Sequence, residues 1–188
     1  VTYTAQDAAG NTATETRTVV VEDTAAPVIT LNGGQVNLEC GQPYTEPGAT
    51  ADDACEGGLD VTDDAAAAVD NTTPGQYTVT YTAQDAAGNT ATETRTVVVE
   101  DTTAPVITLN GGQVNLECGQ SYTEPGASAL DACGNGVDVT SDAATAIDNS
   151  APGQYTVTYT AQDAAGNTAT ETRTVVVEDT TAPVITLN

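Results

Sequence analysis

Carboxylates and thiols are the side chains of this sequence that could do chemistry. Carboxylates bind hard cations or move protons, and thiols cross-link or take soft metals. The chain of 188 residues holds 27 Asp and Glu against three Arg, a net charge of −24. It has no His and no Lys. A histidine base, a lysine Schiff base and a His-bearing zinc site are therefore excluded. Two neighbouring acids acting on a glycosidic bond remain conceivable. Small near-identical segments in series, each without an obvious cleft, argue against that, and the expectation is a protein that is not an enzyme.

Calcium is the sharper use for the acids, because it takes six to eight oxygens from carboxylates, amides and carbonyls. Candidate ligands come in two sets 78 residues apart. One is Glu22, Asp23, Asp53, Asp85 and Asn89; the other is Glu100, Asp101, Asp131, Asp163 and Asn167. Asp52 is replaced by Leu130 and Glu56 by Gly134 in the second copy, so those two are not general ligands. The segment 52–58, DDACEGG, lacks the ligand spacing of an EF-hand loop. A solvated acidic surface that keeps the protein soluble is the alternative. Either way the field repels phosphate backbones and anionic lipid, which excludes nucleic acid and membrane insertion as expected partners.

The thiols are Cys40, Cys55, Cys118 and Cys133, at equal spacing in the two copies. Four cysteines allow three pairings. Repetition favours Cys40–Cys55 and Cys118–Cys133, each closing a loop of its own repeat and worth roughly 3 kcal/mol. Buried free thiols are the alternative. Disulfides place the protein outside the cytoplasm.

These side chains are positioned by a repeat. The stretch 79–110, VTYTAQDAAGNTATETRTVVVEDTTAPVITLN, recurs unchanged at 157–188 and with one change, Ala25 for Thr103, at 1–32. A fixed period of 78 residues means one structural unit used in series. The expected organisation is the C-terminal part of a repeat at 1–23, complete repeats at 24–101 and 102–179, and the first strand of a further repeat at 180–188. The parent chain is expected to continue in both directions. Within a repeat, Val28–Leu31, Val36–Cys40 and Ala49–Ala51 read as short strands. Tyr77, Val79, Tyr81 and Ala83 alternate with Thr78, Thr80, Thr82 and Gln84, the period of a half-buried strand. Thr90–Glu100 is rich in β-branched residues and reads as the last strand. Helical periodicity is absent, and the Ala65–Ala68 run is too short to count against an all-β fold. Many short strands separated by turns predict an antiparallel sandwich. Gly75-x-Tyr77 suits a tyrosine corner or an ordinary core tyrosine. Arg17, Arg95 and Arg173 each follow a Glu by two residues, and a Glu–Arg cross-strand network is expected.

The segments APVITLNG, VNLECGQ-x-YTEPGA and PGQYTVTYTAQDAAGNTATETRTVVVED, in that order, resemble the bacterial immunoglobulin-like surface-repeat domains. More distantly they are similar to hyalin-type repeats. The resemblance implies tandem immunoglobulin-like antiparallel β-sandwich domains, located extracellularly or at the cell surface. It implies a structural role in a filament, stalk or surface array, with other repeats of the same or identical chains as partners, as in a homopolymeric filament. An adhesin binding cell-surface carbohydrate or another cell surface is the alternative, with Tyr44 and Tyr122 as its candidate aromatics. In such a sandwich the incoming linker lies at the same pole as two of the loops. That brings each set of candidate ligands together at a junction, where Ca2+ would stiffen the array.

Overall fold

The computed structural model describes residues 1–186. It opens on a hairpin of β1 (Thr2–Gln6) and β2 (Thr12–Thr16). The first whole repeat carries β3 (Val28–Leu31), β4 (Val36–Glu39), β5 (Ala49–Asp53), β6 (Gly57–Leu59), β7 (Thr62–Asp63), α1 (Ala65–Ala68), β8 (Gly75–Gln84) and β9 (Thr90–Glu100). The second repeats the series as β10 (Val106–Leu109), β11 (Val114–Glu117), β12 (Ala127–Leu130), β13 (Gly136–Val137), β14 (Val139–Ser141), α2 (Ala143–Ala146), β15 (Gly153–Gln162) and β16 (Thr168–Glu178). The fold is all-β, as the alternation of Thr with Val and Tyr predicts. Each alanine run forms one helical turn. Alanine favours helix, and a piece this short stands only because it is packed, Ala143 lying against the core.

In the second repeat one sheet has the order β10-β12-β13 and the other β11-β16-β15-β14. The first repeat shows the same orders, β3-β5-β6 and β4-β9-β8-β7. The pairs β10–β12, β12–β13, β14–β15 and β15–β16 are antiparallel, as expected. The pairs β4–β9 and β11–β16 are parallel, which the expectation of an antiparallel sandwich did not include. The cause is the turn 110–113, where Gly111 takes φ +86°. That left-handed conformation suits glycine and carries the chain from the edge of one sheet to the edge of the other. As a result Glu117 lies opposite Glu178, at the end where the repeat is left.

Val157, Tyr159 and Val175 form the core of this repeat. Ile107, Leu109, Val114, Val139 and Ile147 pack against them. Along β15 the buried Val157, Tyr159 and Ala161 alternate with outward threonines. Full burial of such a valine stabilises by roughly 2 kcal/mol. The chain divides into two compact bodies, one of Val1–Gly33, Pro47–Asp64 and Thr80–Thr94, the other of Gly34–Glu46, Ala65–Val79 and the chain from Arg95 onward.

Tyr77 Oη donates to the Thr73 carbonyl at 2.8 Å and Tyr155 Oη to the Ala151 carbonyl at 2.9 Å, the tyrosine-corner arrangement. The Glu–Arg network is different from the one expected. Arg95 pairs with Glu46 at 2.6 Å and Arg173 with Glu124 at 2.9 Å, not with the glutamates two residues earlier, and both guanidinium side chains are wholly buried. Glu93 and Glu171 precede the buried half of their strands and face solvent. Of the strand expected at 180–188, residues 180–186 are not in a strand, and Leu187 and Asn188 lie outside the described residues. A strand forms by pairing, as Val106–Leu109 does with Ala127–Leu130.

Candidate metal centre

The loops that carry the acids share one construction. In the segment 163–167 the Asp163 N–H donates to the Asn167 carbonyl at 3.1 Å, and Gly166 closes the turn at φ +94°. Asn167 donates its backbone N–H to Asp163 Oδ1 at 2.8 Å and its side-chain amide to Oδ2 at 3.0 Å. The same amide reaches the Asp101 carbonyl at 3.1 Å, so the loop grips the incoming linker. Asp85 and Asn89 form the matching turn, with Asn89 reaching the Asp23 carbonyl at 3.3 Å. The bond from the Asn89 amide holds the Asp85 carboxyl below the ordinary Asp value. Asp85, Asn89, Asp163 and Asn167 thus stand beside the linker, with much of their hydrogen-bonding capacity used inside their own turns.

The linker aspartates meet the hairpin aspartates. Asp23, Asp53 and Cys55 offer ligand atoms within 4.8 Å of one another, and Asp101, Asp131 and Cys133 do the same. Glu22 and Glu100 are exposed and belong to neither group. Asp53 is 8% exposed. Its Oδ1 accepts from the Cys55 N–H at 2.7 Å, while its Oδ2 is buried without a partner. Asp23 Oδ2 is likewise buried and unpartnered. Two anionic oxygens orphaned this way are costly unless a cation joins them. Two of the arginines are engaged elsewhere, with Glu46 and Glu124. In the second group burial holds Asp101 above its ordinary value, against a bond from the Thr103 N–H, and the charges of Asp163, Asp131 and Glu39 add to the rise. The charge of Asp23 similarly pushes the Cys55 thiol up. Cys133 is in a disulfide, so the donors common to both groups are carboxylate oxygens. That donor set fits a hard divalent cation such as calcium and not a thiolate-loving metal.

The disulfide departs from expectation. Cys40 is bonded to Cys133, with Cα atoms 5.0 Å apart, and Cys55 and Cys118 are free thiols. The pairings Cys40–Cys55 and Cys118–Cys133 do not occur. The reason is visible in the second repeat. The Cys118 N–H donates to the Glu178 carbonyl at 2.8 Å, which fixes it at the trailing end of β16. Cys133 sits beside Asp101, next to the turn from which β16 starts. The eleven residues of β16 separate the two ends, a span of about 33 Å for the steps from first to last at roughly 3.3 Å each, far beyond disulfide reach.

Glu39 and Glu117 were not anticipated. Glu39 accepts from the Thr102 N–H at 2.9 Å, Thr102 Oγ1 at 2.8 Å and Thr103 Oγ1 at 2.7 Å. Those bonds, the Thr103 hydroxyl first, hold its carboxyl below the ordinary Glu value. Glu117 makes the same contacts with Thr180 and Thr181. The repeated Glu-Asp-Thr-Thr of the linker was the available signal.

The family model of the bacterial surface protein Ig-like domain matches residues 29–99 and again 107–177. The chain belongs to this family. It is a surface or extracellular protein of tandem Ig-like repeats. It is also similar to hyalin of Strongylocentrotus purpuratus, 40% identical over 209 aligned residues that cover all of this chain and 17% of the hyalin. Hyalin of Lytechinus variegatus is 41% identical over 206 residues, covering 98% of this chain and 38% of its own length. The chain therefore spans well under half of either relative. Among solved structures, human protocadherin-24 EC1-2 is a distant likeness, matching 83% of the Ig-like chain and all of its own at 16% identity, with a TM-score of 0.41.

Proposed function

We propose that the Ig-like repeats serve as structural modules of an extracellular array, filament or stalk. The modules are the repeats 24–101 and 102–179, with 1–23 and 180–188 belonging to neighbours in series. Their partners are other repeats of the same or identical chains, and no catalytic step is assigned to them. A calcium ion at each junction fixes the linker to the hairpin of the repeat that follows. Asp23 and Asp53 are its ligands at one junction and Asp101 and Asp131 at the next, while Asp85–Asn89 and Asp163–Asn167 orient the linker.

The observation that supports this most is the pair of buried, unpartnered oxygens, Asp23 Oδ2 and Asp53 Oδ2. A cation there would neutralise charges that otherwise repel, and would tie two segments that are distant in sequence. Calcium titrated into the chelator-treated protein is expected to raise the melting temperature. A ligand at 100 times its Kd stabilises by about 2.7 kcal/mol. An unchanged melt with calcium in excess would remove the ion from the account.

A second reading, an adhesin that binds carbohydrate, is favoured by a groove of about 450 Å³ beside Tyr122, lined also by Glu124, Ser141, Ile147 and Asn149. Tyr44 and Tyr122 are half-buried, and their hydroxyls are bonded to Glu46 at 2.7 Å and Glu124 at 3.3 Å. Binding on a glycan array that is lost on Tyr122→Ala would support that role.

A further inference from the structure

We propose that the cysteines form a ladder along the array, the thiol after the VNLE strand of each repeat bonding to the hairpin thiol of the next. On this inference Cys118 is the acceptor site for the second cysteine of a following repeat, and Cys55 for the first cysteine of a preceding one. The idea rests on the tandem-array reading above, but not on calcium.

The observed rung carries the argument. Cys40 and Cys133 are 93 residues apart, one period of 78 beyond the spacing within a repeat. Cys118 reproduces the setting of Cys40 bond for bond. The Cys40 N–H donates to the Glu100 carbonyl at 2.7 Å, and the Cys118 N–H to the Glu178 carbonyl at 2.8 Å. The Gly41 N–H donates to the Asn71 carbonyl at 2.7 Å, and the Gly119 N–H to the Asn149 carbonyl at 2.6 Å. The Asn71 amide reaches the Gln42 carbonyl and the Asn149 amide the Gln120 carbonyl, both at 2.7 Å.

The glycines give a second, independent observation. Gly41 has φ +79°, and a Cβ there would collide with the Ala132 carbonyl oxygen, the residue before Cys133. The backbone is bent at Gly41 so that the partner hairpin can lie directly on it. Gly119 takes the same bend, φ +85°, and the space over it is open. The cradle for an Ala-Cys hairpin is thus already built at Cys118, whose thiol is half-buried and donates to the Ser150 carbonyl at 3.2 Å. On the other side, Cys55 sits with Asp23 and Asp53 as Cys133 sits with Asp101 and Asp131, and it is exposed.

Closing a rung joins two thiols in one S–S bond and releases two protons and two electrons. A small-molecule disulfide takes them and leaves as two small thiols. The test extends the 188-residue chain by one more 78-residue period at its C-terminal end. Both chains are oxidised with a glutathione redox pair, alkylated and mapped by mass spectrometry without reduction. In the unextended chain Cys55 and Cys118 should take the alkylating agent and Cys40 should be found linked to Cys133. In the extended chain Cys118 should be protected and linked to the second cysteine of the added period. Cys133→Ser in the extended chain should expose Cys40 and leave the Cys118 linkage in place, because each rung forms separately. A Cys118–Cys133 or Cys40–Cys55 peptide, or a Cys118 that remains alkylatable in the extended chain, would overturn the ladder. Loss of the calcium effect on melting with this map intact would remove the ion and leave the ladder standing.

Discussion

Asp53→Asn should change sign with calcium. Asp53 and Asp23 hold ligand atoms within 4.8 Å of each other, and the facing oxygens have no partner. Two unit charges at that distance repel by about 3.5 kcal/mol at an effective dielectric near 20. Asp23 is half-exposed, so solvent screening leaves roughly 1–2 kcal/mol. The asparagine keeps the Oδ1 that accepts from the Cys55 N–H and replaces the orphaned Oδ2 by a donor that can face Asp23. In chelator the variant should therefore melt above the unaltered protein, by about 5–10 °C if the gain is fully expressed in a domain of this size. In millimolar calcium the order should reverse, because the unaltered protein gains the ion and the variant has lost a ligand. Paired thermal melts by circular dichroism, in chelator and in calcium, read both halves. The reasoning is refuted if the same protein melts higher under both conditions.

Three further outcomes follow from other parts of the structure. Glu39 is held below its ordinary value of 4.5, so the stability it adds is present above that pH and fades as pH falls below it. Glu39→Gln should flatten the acid limb of a plot of melting temperature against pH below about 4.5, without removing it, since Glu117 and Asp148 are lowered too; superimposable limbs would count against the linker clamp. Glu124→Ala should cost about 3 kcal/mol in denaturant unfolding, because Arg173 remains buried and loses its carboxylate, keeping the Asn110 and Gly126 carbonyls at 3.0 and 3.1 Å and the Tyr159 ring at 5.1 Å; a loss under 1 kcal/mol would place the pair among weak surface bridges. Gly41→Ala should slow or block the Cys40–Cys133 bond, whereas Gly119→Ala should carry only the backbone strain of its positive φ, roughly 1–2 kcal/mol; equal rates of disulfide formation in the two variants would contradict the close approach at Ala132.

The alternation of Val157, Tyr159 and Ala161 with threonines made β15 legible from the sequence, because a period of two has one structural solution on a half-buried sheet. The turns at Asp85–Asn89 and Asp163–Asn167 were equally plain. The ligand sets brought the linker and hairpin aspartates to one place, though Glu22 and Glu100 point to solvent. The cysteine pairing was not legible. A separation of 15 positions from Cys40 to Cys55 suggests a local loop, and nothing in that spacing reveals that β4 runs parallel to β9 and delivers Cys40 to the trailing end. The partner of each arginine was hidden for a similar reason. Glu46 and Glu124 lie 49 residues before their arginines in an irregular segment with no periodicity to place it.

The Cys40–Cys133 bond also reroutes tension. A pull on the two ends of the chain passes through the sulphurs, and the residues between them drop out of the tether even if they unravel. Where such rungs overlap in series, the shortest covalent route across each period is the 15 residues from one cysteine to the other plus one S–S link. At about 3.5 Å per extended residue that is roughly 50 Å. A strand bundle already some 33 Å long would then lengthen by less than twofold on complete unravelling. Such a cable behaves as a nearly inextensible rope, whatever the fate of its individual beads.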